Sequence, residues 1–475
     1  MRTPPEVDHA ANWGGKGSWL AQADSVWVAI AVLLPGIVAM ASTIVVIDLG
    51  YHLRAGDHIL AEGSLRPSEP FSFAEGGPWL NQQWGAQVIF ALLFRAGGFP
   101  TLSFFRAIAI AGAAAFLYLS CRSRGSDRRT ASVLTSLGTL IALPTLGVRP
   151  QLLGLVLFTA SLWIITTRHA HPGRLWALPV LAVVWVNVHG SFIFLLPLLA
   201  LAVADPWVRT GSPPRRLIGI TTLTVLATLV NPFGLSVWTY VLDLMSNPIV
   251  RDWVTEWEPL TIRDGFGIIF FASIGAAVLT FIRRAEYVTW VDLAWLGTFV
   301  LVGLSARRSA AFWGFSAPVI LAGILPRREG AAATGVPSIN AGFLIAMMGA
   351  FVLLLPWFRP VKLFAAPTQL VAAVEDATAP GDRIIVHQAY ASWFELTLPD
   401  RPVLVDSRIE LYDASVWHDY QAIREGRADW AEIVDRWQAG AIVTDPTWEA
   451  TPFLRSHPGW REVFRDSDGV VFVRT

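Results

Sequence analysis

Between about positions 25 and 357 the chain runs in long apolar stretches separated by short arginine-bearing loops. A helix that crosses a bilayer needs roughly 20 apolar residues, because lipid offers its backbone no hydrogen-bond partners. Such stretches lie at about 25–47, 100–120, 131–148, 150–167, 175–188, 190–205, 216–231, 266–283, 288–304, 309–325 and 339–357. The pattern predicts a polytopic α-helical membrane protein with about eleven transmembrane helices. The fifth and sixth stretches are short enough to form one bent helix. After residue 360 the apolar dominance ends. The expected organisation is an N-terminal tail at 1–24, a transmembrane domain at 25–359 and a small α/β soluble domain at 360–475.

Charge in the loops orients the spans. One alternating set of loops carries Lys16, then Arg122, Arg124, Arg128 and Arg129, then Arg168 and Arg174, then Arg209, Arg215 and Arg216, then Arg283 and Arg284, then Arg327 and Arg328. Lysine and arginine accumulate on the cytoplasmic side, so the N-terminus is expected inside and the C-terminal domain outside, in the cell (inner or plasma) membrane. The segment Trp84–Gly98 is short and carries Arg95 near its end. It is expected to lie in the outer interface rather than to span. The tail before Ala23 is polar and lacks a small-residue cleavage site, so the first apolar stretch reads as a retained span.

Composition sharpens this picture. Charged residues make up 15% of the chain and the mean hydropathy is +0.50, against about a quarter charged in soluble proteins. The formal net charge is zero, which gives no reason to expect nucleic acid. Cys121 is the single cysteine, so there is no internal disulfide.

The outward loop 48–99 holds most of the candidate chemistry. It opens Asp48-Leu-Gly-Tyr-His52-Leu-Arg54-Ala-Gly56 and contains Gly63-Ser-Leu-Arg-Pro67-Ser-Glu69-Pro70-Phe-Ser-Phe and Trp79-Leu-Asn81-Gln-Gln-Trp84. Asp48 stands where the first span leaves the bilayer, and His52 follows one helical turn later on the same face. A carboxylate at a hydrophobic boundary is costly to ionise and suits a tuned base or a metal ligand. The same position also suits an N-cap for the next helix, with Tyr51, His52 and Arg54 as interfacial anchors. Arg149 and the turn Asn187-Val-His189-Gly190-Ser191 fall on the same outward side, as do Arg307 and Arg308. Arginines there suit phosphate or carboxylate binding, or contact with lipid headgroups. His189 alone suits a hydrogen-bonded packing residue. Glu256 and Glu258 flank Trp257 in an outer segment where carboxylates are ordinarily solvated.

These features resemble the GT-C superfamily of polyprenyl-phosphate-sugar-dependent membrane glycosyltransferases. The carboxylate at the outer end of the first span, followed by a long outward loop, carries the likeness. The chain also looks like a group of bacterial polytopic membrane proteins with the pattern Asp48, His52-Leu, Gly56, Gly63, Pro67, Pro70-Phe-Ser-Phe, Trp79 and Trp84, and an outward Asn187-x-His189-Gly190 turn. The resemblance implies a sugar donor on polyprenyl phosphate and an acceptor glycan, lipid or protein at the outer face. It makes Asp48 the catalytic carboxylate, with His52 and Glu69 in support, and gives the lipid phosphate to Arg149, His189, Arg307 and Arg308. A divalent cation, Mg or Mn, would be held by Asp48 if by any residue, although no Asp-x-Asp occurs. Two other functions fit a membrane protein. A transporter or flippase of a lipid-linked substrate calls for polar residues inside spans and for internal repeats, and neither is evident. A non-catalytic assembly protein would use the outer domain for docking.

In the C-terminal domain helices are expected at Thr368–Ala377, Tyr412–Arg424, Asp429–Trp437 and Trp448–Ser456. Strands are expected at Arg383–His387, Pro402–Val405 and Ala441–Thr444, with a terminal hairpin of Val463–Arg465 and Val470–Val473 around Asp468-Gly469. Asp406 and Arg408 follow an expected strand, where they either meet a ligand or pair to tie the next loop.

Overall fold

The computed structural model describes residues 24–65, 71–74, 76–247, 249–250, 254–326 and 337–475. Lys16, Glu69, Arg327 and Arg328 lie outside them. The chain is mostly helical. Four described helices are long and apolar enough to cross a membrane: Asp24–Ala41 (α1), the kinked helical run Trp84–Ser123 (α3), Gly190–Thr210 and Gly265–Arg283. Apolar helices of 10 to 17 residues join them, among them Pro150–Thr166 (α5) and Trp290–Ser305. Between α1 and α3 comes the amphipathic α2, Leu49–Glu62. α3 is interrupted by non-helical dihedrals at Gly97 and Gly98, so Trp84–Gly98 forms its own segment before the long apolar helix. The paired stretches around 188 are two helices, Ala177–Val188 and Leu195–Thr210 (α7), broken by the extended backbone of His189 and a 3-10 turn. The helix Ala310–Ile324 (α12) is apolar all round and correspondingly buried, at the centre of the bundle.

At the C-terminal end, Ile384–Val386 (β3), Ala441–Thr444 (β4), Trp460–Arg465 (β5) and Val470–Arg474 (β6) form one sheet in the order β3-β4-β6-β5. β3 and β4 are parallel, and the other pairs are antiparallel. The expected strand at 402–405 is reduced to single bridges from Val403 to Ile384 and to Ser72. A helix at Gln388–Thr397 (α15) was not signalled by the sequence pattern. Its residues mix small, polar and aromatic side chains with no clear period.

The sheet does not pack as a separate body. Alternate residues of a strand face opposite sides. Ile384, Val386, Ala441, Val443, Val471 and Val473 join the same continuous apolar core as the helix bundle. Ile385, Ile442, Val470 and Phe472 face a second core, with Trp417, Tyr420 and Ile423 of the helix Ala414–Glu425. The loop 48–99 is stitched to this region by backbone bonds from Phe73 N to Val403 O (2.9 Å) and from Gly77 N to Leu411 O (3.0 Å). A short parallel pair of Ile44–Val45 with Leu363–Phe364 ties the end of the first helix to the chain entering the C-terminal region.

α2 is the element squeezed between the two. Its first turn lies against α15, and an added Cβ at Gly50 would overlap the Ser392 carbonyl oxygen. One turn and a half later, a Cβ at Gly56 would overlap the Gln87 carbonyl of α3. Both obstacles are backbone, which cannot rotate away. Gly50→Ala is therefore expected to cost about 3 kcal/mol of stability, at the severe end of overpacking. Thermal unfolding of the purified protein checks this. Gly112→Ala, where nothing lies within 4 Å, should leave the midpoint unchanged.

Candidate functional site

Where the bundle, the loop 48–99 and the C-terminal region meet, a cavity of about 330 Å³ opens. Its wall includes Asp48, His52, Arg149, His189 and Arg308, together with Tyr51, Tyr240, Glu256, Trp257, Gln388, Ser407, Arg408 and Glu410. Five of the sequence-predicted residues thus converge. Arg307 is not in this wall. Its guanidinium is 2.8 Å from Asp264, the cap of the helix Gly265–Arg283. Glu69 lies outside the described residues.

Asp48 occupies the N-cap position of α2, but its side chain makes no cap bond. The orphan N–H of Tyr51 in that first turn is instead taken by the Ser392 hydroxyl at 2.7 Å. Asp48 is thereby released toward Arg149, with Oδ2 3.1 Å from Nε. Arg149 also donates through Nη1 to Glu256. It caps α5 with extended backbone before Pro150, a residue suited to a first helical position. Asp48 and then Glu256 hold its pKa above the ordinary arginine value against the effect of burial.

The two histidines are neutral groups. Burial, helped by the fields of Arg149 and Arg408, pushes His52 down to about 3. Its Nδ1 is 3.4 Å from Gln87 Nε2, and Gln87 in turn accepts from Asn81 at 2.6 Å. Burial and then Arg308 hold His189 well below its usual value. The backbone N–H of Ser191 donates to His189 Nδ1 at 3.1 Å. A backbone amide can only donate, so the neutral ring carries its proton on Nε2. That Nε2 lies 3.5 Å from Arg308 Nη2. Two donors face each other with no acceptor between them, an arrangement that suits an anion.

Arg308 is half-buried, and the loss of solvent around its guanidinium lowers its pKa. It has no carboxylate partner within salt-bridge distance among the described residues. Its contacts are Gln151 Oε1 at 3.4 Å and the Trp257 ring at 4.9 Å. Beside it a small second pocket is lined by Ile193, Phe194, Val241, Leu244, Met245 and Phe312. The arginine therefore stands between a polar chamber and an apolar one.

The C-terminal region supplies groups that the sequence did not single out for the site. The hydroxyl of Tyr240 donates to Glu410 at 2.9 Å, and burial raises the Glu410 carboxyl above its ordinary range. The Arg408 guanidinium stacks on Tyr51 and Trp79 and pairs with Asp406. The one usable signal was the position of 406–410 just beyond an expected strand, where ligands often bind. Among the described residues no group of three His, Cys, Asp or Glu side chains is gathered for a metal ion. Asp48 and Glu256 converge on a guanidinium instead, so the donor set does not fit a divalent cation.

No protein-family model matches the chain, and no curated protein matches it. Solved structures do. The oligosaccharyltransferase of Archaeoglobus fulgidus, tethered with an acceptor peptide containing the NVT sequon, superposes with a TM-score of 0.56 at 12% identity, over 94% of this chain and 74% of that one. The same archaeal enzyme in complex with zinc and sulfate gives 0.51 at 12% identity, over 89% and 67%. ArnT from Cupriavidus metallidurans bound to undecaprenyl phosphate gives 0.52 at 16% identity, over 95% and 97%. The chain thus shares its fold with these solved structures, a fold that the resemblance to the GT-C superfamily led us to expect.

Proposed function

We propose that this protein is a membrane glycosyltransferase that moves a sugar from a polyprenyl-phosphate donor to an acceptor at the outer face of the membrane. The observation that carries this reading is the donor pair of Arg308 and His189, set between a polar cavity and an apolar pocket. A phosphate with a hydrocarbon tail has that division of polarity. The fold shared with an oligosaccharyltransferase and with an undecaprenyl-phosphate complex supports it. About eleven spans, an inside N-terminus and an outside C-terminal domain at 360–475 belong to the same proposal.

In this mechanism the acceptor attacks the anomeric carbon, the bond from that carbon to the phosphate oxygen breaks, and negative charge grows on the departing lipid phosphate. Arg308 and the Nε2 proton of His189 stabilise that charge in a water-poor site. Asp48 takes the proton released by the acceptor, and Arg149 and Glu256 fix its orientation. His52, neutral and one turn away, hydrogen-bonds rather than carries charge. Glu69 belongs to the same loop and is a further acidic candidate. Arg307 is committed to Asp264, so the phosphate is assigned to Arg308. No step requires a metal. Were a cation to bind, Asp48 would be its ligand.

Three outcomes follow. Asp48→Asn should abolish sugar transfer with expression and membrane insertion intact, and full transfer by a folded Asp48→Asn protein would remove the mechanism. Arg308→Gln should weaken binding of radiolabelled undecaprenyl phosphate by about 10- to 100-fold, the scale of a lost hydrogen bond to a charged group; unchanged affinity would move the phosphate elsewhere. The third concerns acid. The folded pKa of His52 lies below its unfolded value near 6.5, so its contribution to stability is present above that pH and is lost as pH falls toward about 3. The unfolding midpoint should drop across this window, with a shallower slope in His52→Asn.

A further inference from the structure

α5 begins in the wall of the candidate site at Pro150 and ends at Thr166, about 25 Å away along its axis. At that far end lies a cleft of about 970 Å³. It sits among the ends of α3, α5 and α7, the start of the helix Trp290–Ser305, and α12. Arg122, Arg124, Arg168 and Arg209 line it, with His169 and His171 at its edge. None of these residues takes part in the proposed transfer.

The three aspartates of the cleft are already committed. Asp127 caps the helix Arg128–Ala142 by accepting from Thr130 N at 2.9 Å. Asp205 sits between Arg168 at 3.0 Å and Arg209 at 2.5 Å. Asp292 forms a capping box with Thr289 and accepts from Arg124 at 2.7 Å. These bonds orient the guanidinium groups instead of filling the cleft. Arg124 is laid across α12 at Gly323, where a Cβ would come within 2.7 Å of its Nη2. Arg122 donates to the Ser126 carbonyl and has no carboxylate partner among the described residues. The Nε of Arg168 is buried with no hydrogen-bond partner.

We propose that this cleft is a second ligand site, which binds a phosphate-bearing anion at the end of the bundle opposite Asp48. Planar arginine forks match phosphate oxygens in pairs. Basic pockets between membrane helices are suited to anionic headgroups. The cleft is large enough for a glycerophosphate headgroup. Trp295 and Tyr287 at its wall suit an interfacial position. The same chemistry would be met by the headgroup of an anionic lipid or by a soluble phosphate ester.

The full-length protein, purified in detergent and carrying Arg308→Gln to silence the first site, separates these. Native mass spectrometry and thermal unfolding would be read with dioleoyl-phosphatidylglycerol, dioleoyl-phosphatidylcholine and glycerol 3-phosphate. Phosphatidylglycerol binding at least tenfold tighter than phosphatidylcholine, without glycerol 3-phosphate binding, assigns the site to a lipid headgroup. Glycerol 3-phosphate binding, with or without the lipid, assigns it to the phosphate itself. In either case Arg122→Glu, a change at an exposed side chain that breaks none of the aspartate pairs, should reduce affinity about tenfold. The conservative Arg122→Lys should retain most of it. Equal binding of both lipids with no binding of glycerol 3-phosphate overturns the proposal. So does binding that Arg122→Glu leaves unaltered in a protein whose unfolding midpoint is unchanged.

Discussion

The Arg408 guanidinium holds together the end of the bundle where the cavity lies. It is buried and paired with Asp406, whose two oxygens accept from the Arg408 backbone N at 2.7 Å and from Nε at 2.8 Å. Its face lies 4.9 Å from the Tyr51 ring, 5.3 Å from Phe71 and 4.8 Å from Trp79. Those three rings belong to α2 and the outward loop, while Asp406 and Arg408 belong to the C-terminal region. Desolvating an ion pair is expensive, and leaving either partner alone costs about 3–5 kcal/mol. Burying the pair therefore requires compensation, which the three aromatic rings supply in part by lying over the guanidinium. That requirement couples the loop after the first helix to a segment more than 300 residues later in the chain.

The consequence is a shared site. With Arg408 anchored, residues 407–410 become part of the cavity wall, and Glu410 comes within reach of Tyr240 from the bundle. The same docking places Ser392 against the first turn of α2, where it performs the capping that Asp48 would otherwise supply. Asp48 faces Arg149 because another residue has relieved it. The C-terminal region is in this sense part of the same assembly as the cavity, and its sheet shares the bundle's apolar core.

How much of this was legible beforehand follows from the range of the signals. Apolar runs and arginine bias are local and strong, so the helical membrane class was readable. The i, i+4 spacing of Asp48 and His52 was local too, and both line the cavity. Arg307 and Arg308 are adjacent and chemically identical, and one-dimensional charge could not separate them. The 3-10 turn over Arg307–Ser309 sends one to Asp264 and the other into the cavity. Glu256 looked like a solvated loop carboxylate, because nothing near it in sequence announces Arg149. The tie between Asp406 and Arg408 was visible two residues apart, but its aromatic cage comes from residues 51 to 79 and was not. The short strand expected at 402–405 failed because Val403 bridges Ser72 on one side and Ile384 on the other, without a continuous ladder.

Charge accounting in the cavity leads to the kind of ligand it suits. Arg149 is offset by Asp48 and Glu256, and Arg408 by Asp406. Glu410 accepts from Tyr240, and burial favours its neutral form. Both histidines favour their neutral form. Two carboxylates face the one guanidinium of Arg149, so the charges sum to zero once Arg308 is counted. Yet Arg308 has no carboxylate within ion-pair distance among the described residues and lies half-buried against Trp257 and Gln151. Beside the Nε2 proton of His189 its guanidinium offers donors without a directly paired carboxylate, the arrangement on which the proposed binding of an anion rests. The apolar pocket on its far side favours an anion with a hydrocarbon tail over one that is polar throughout.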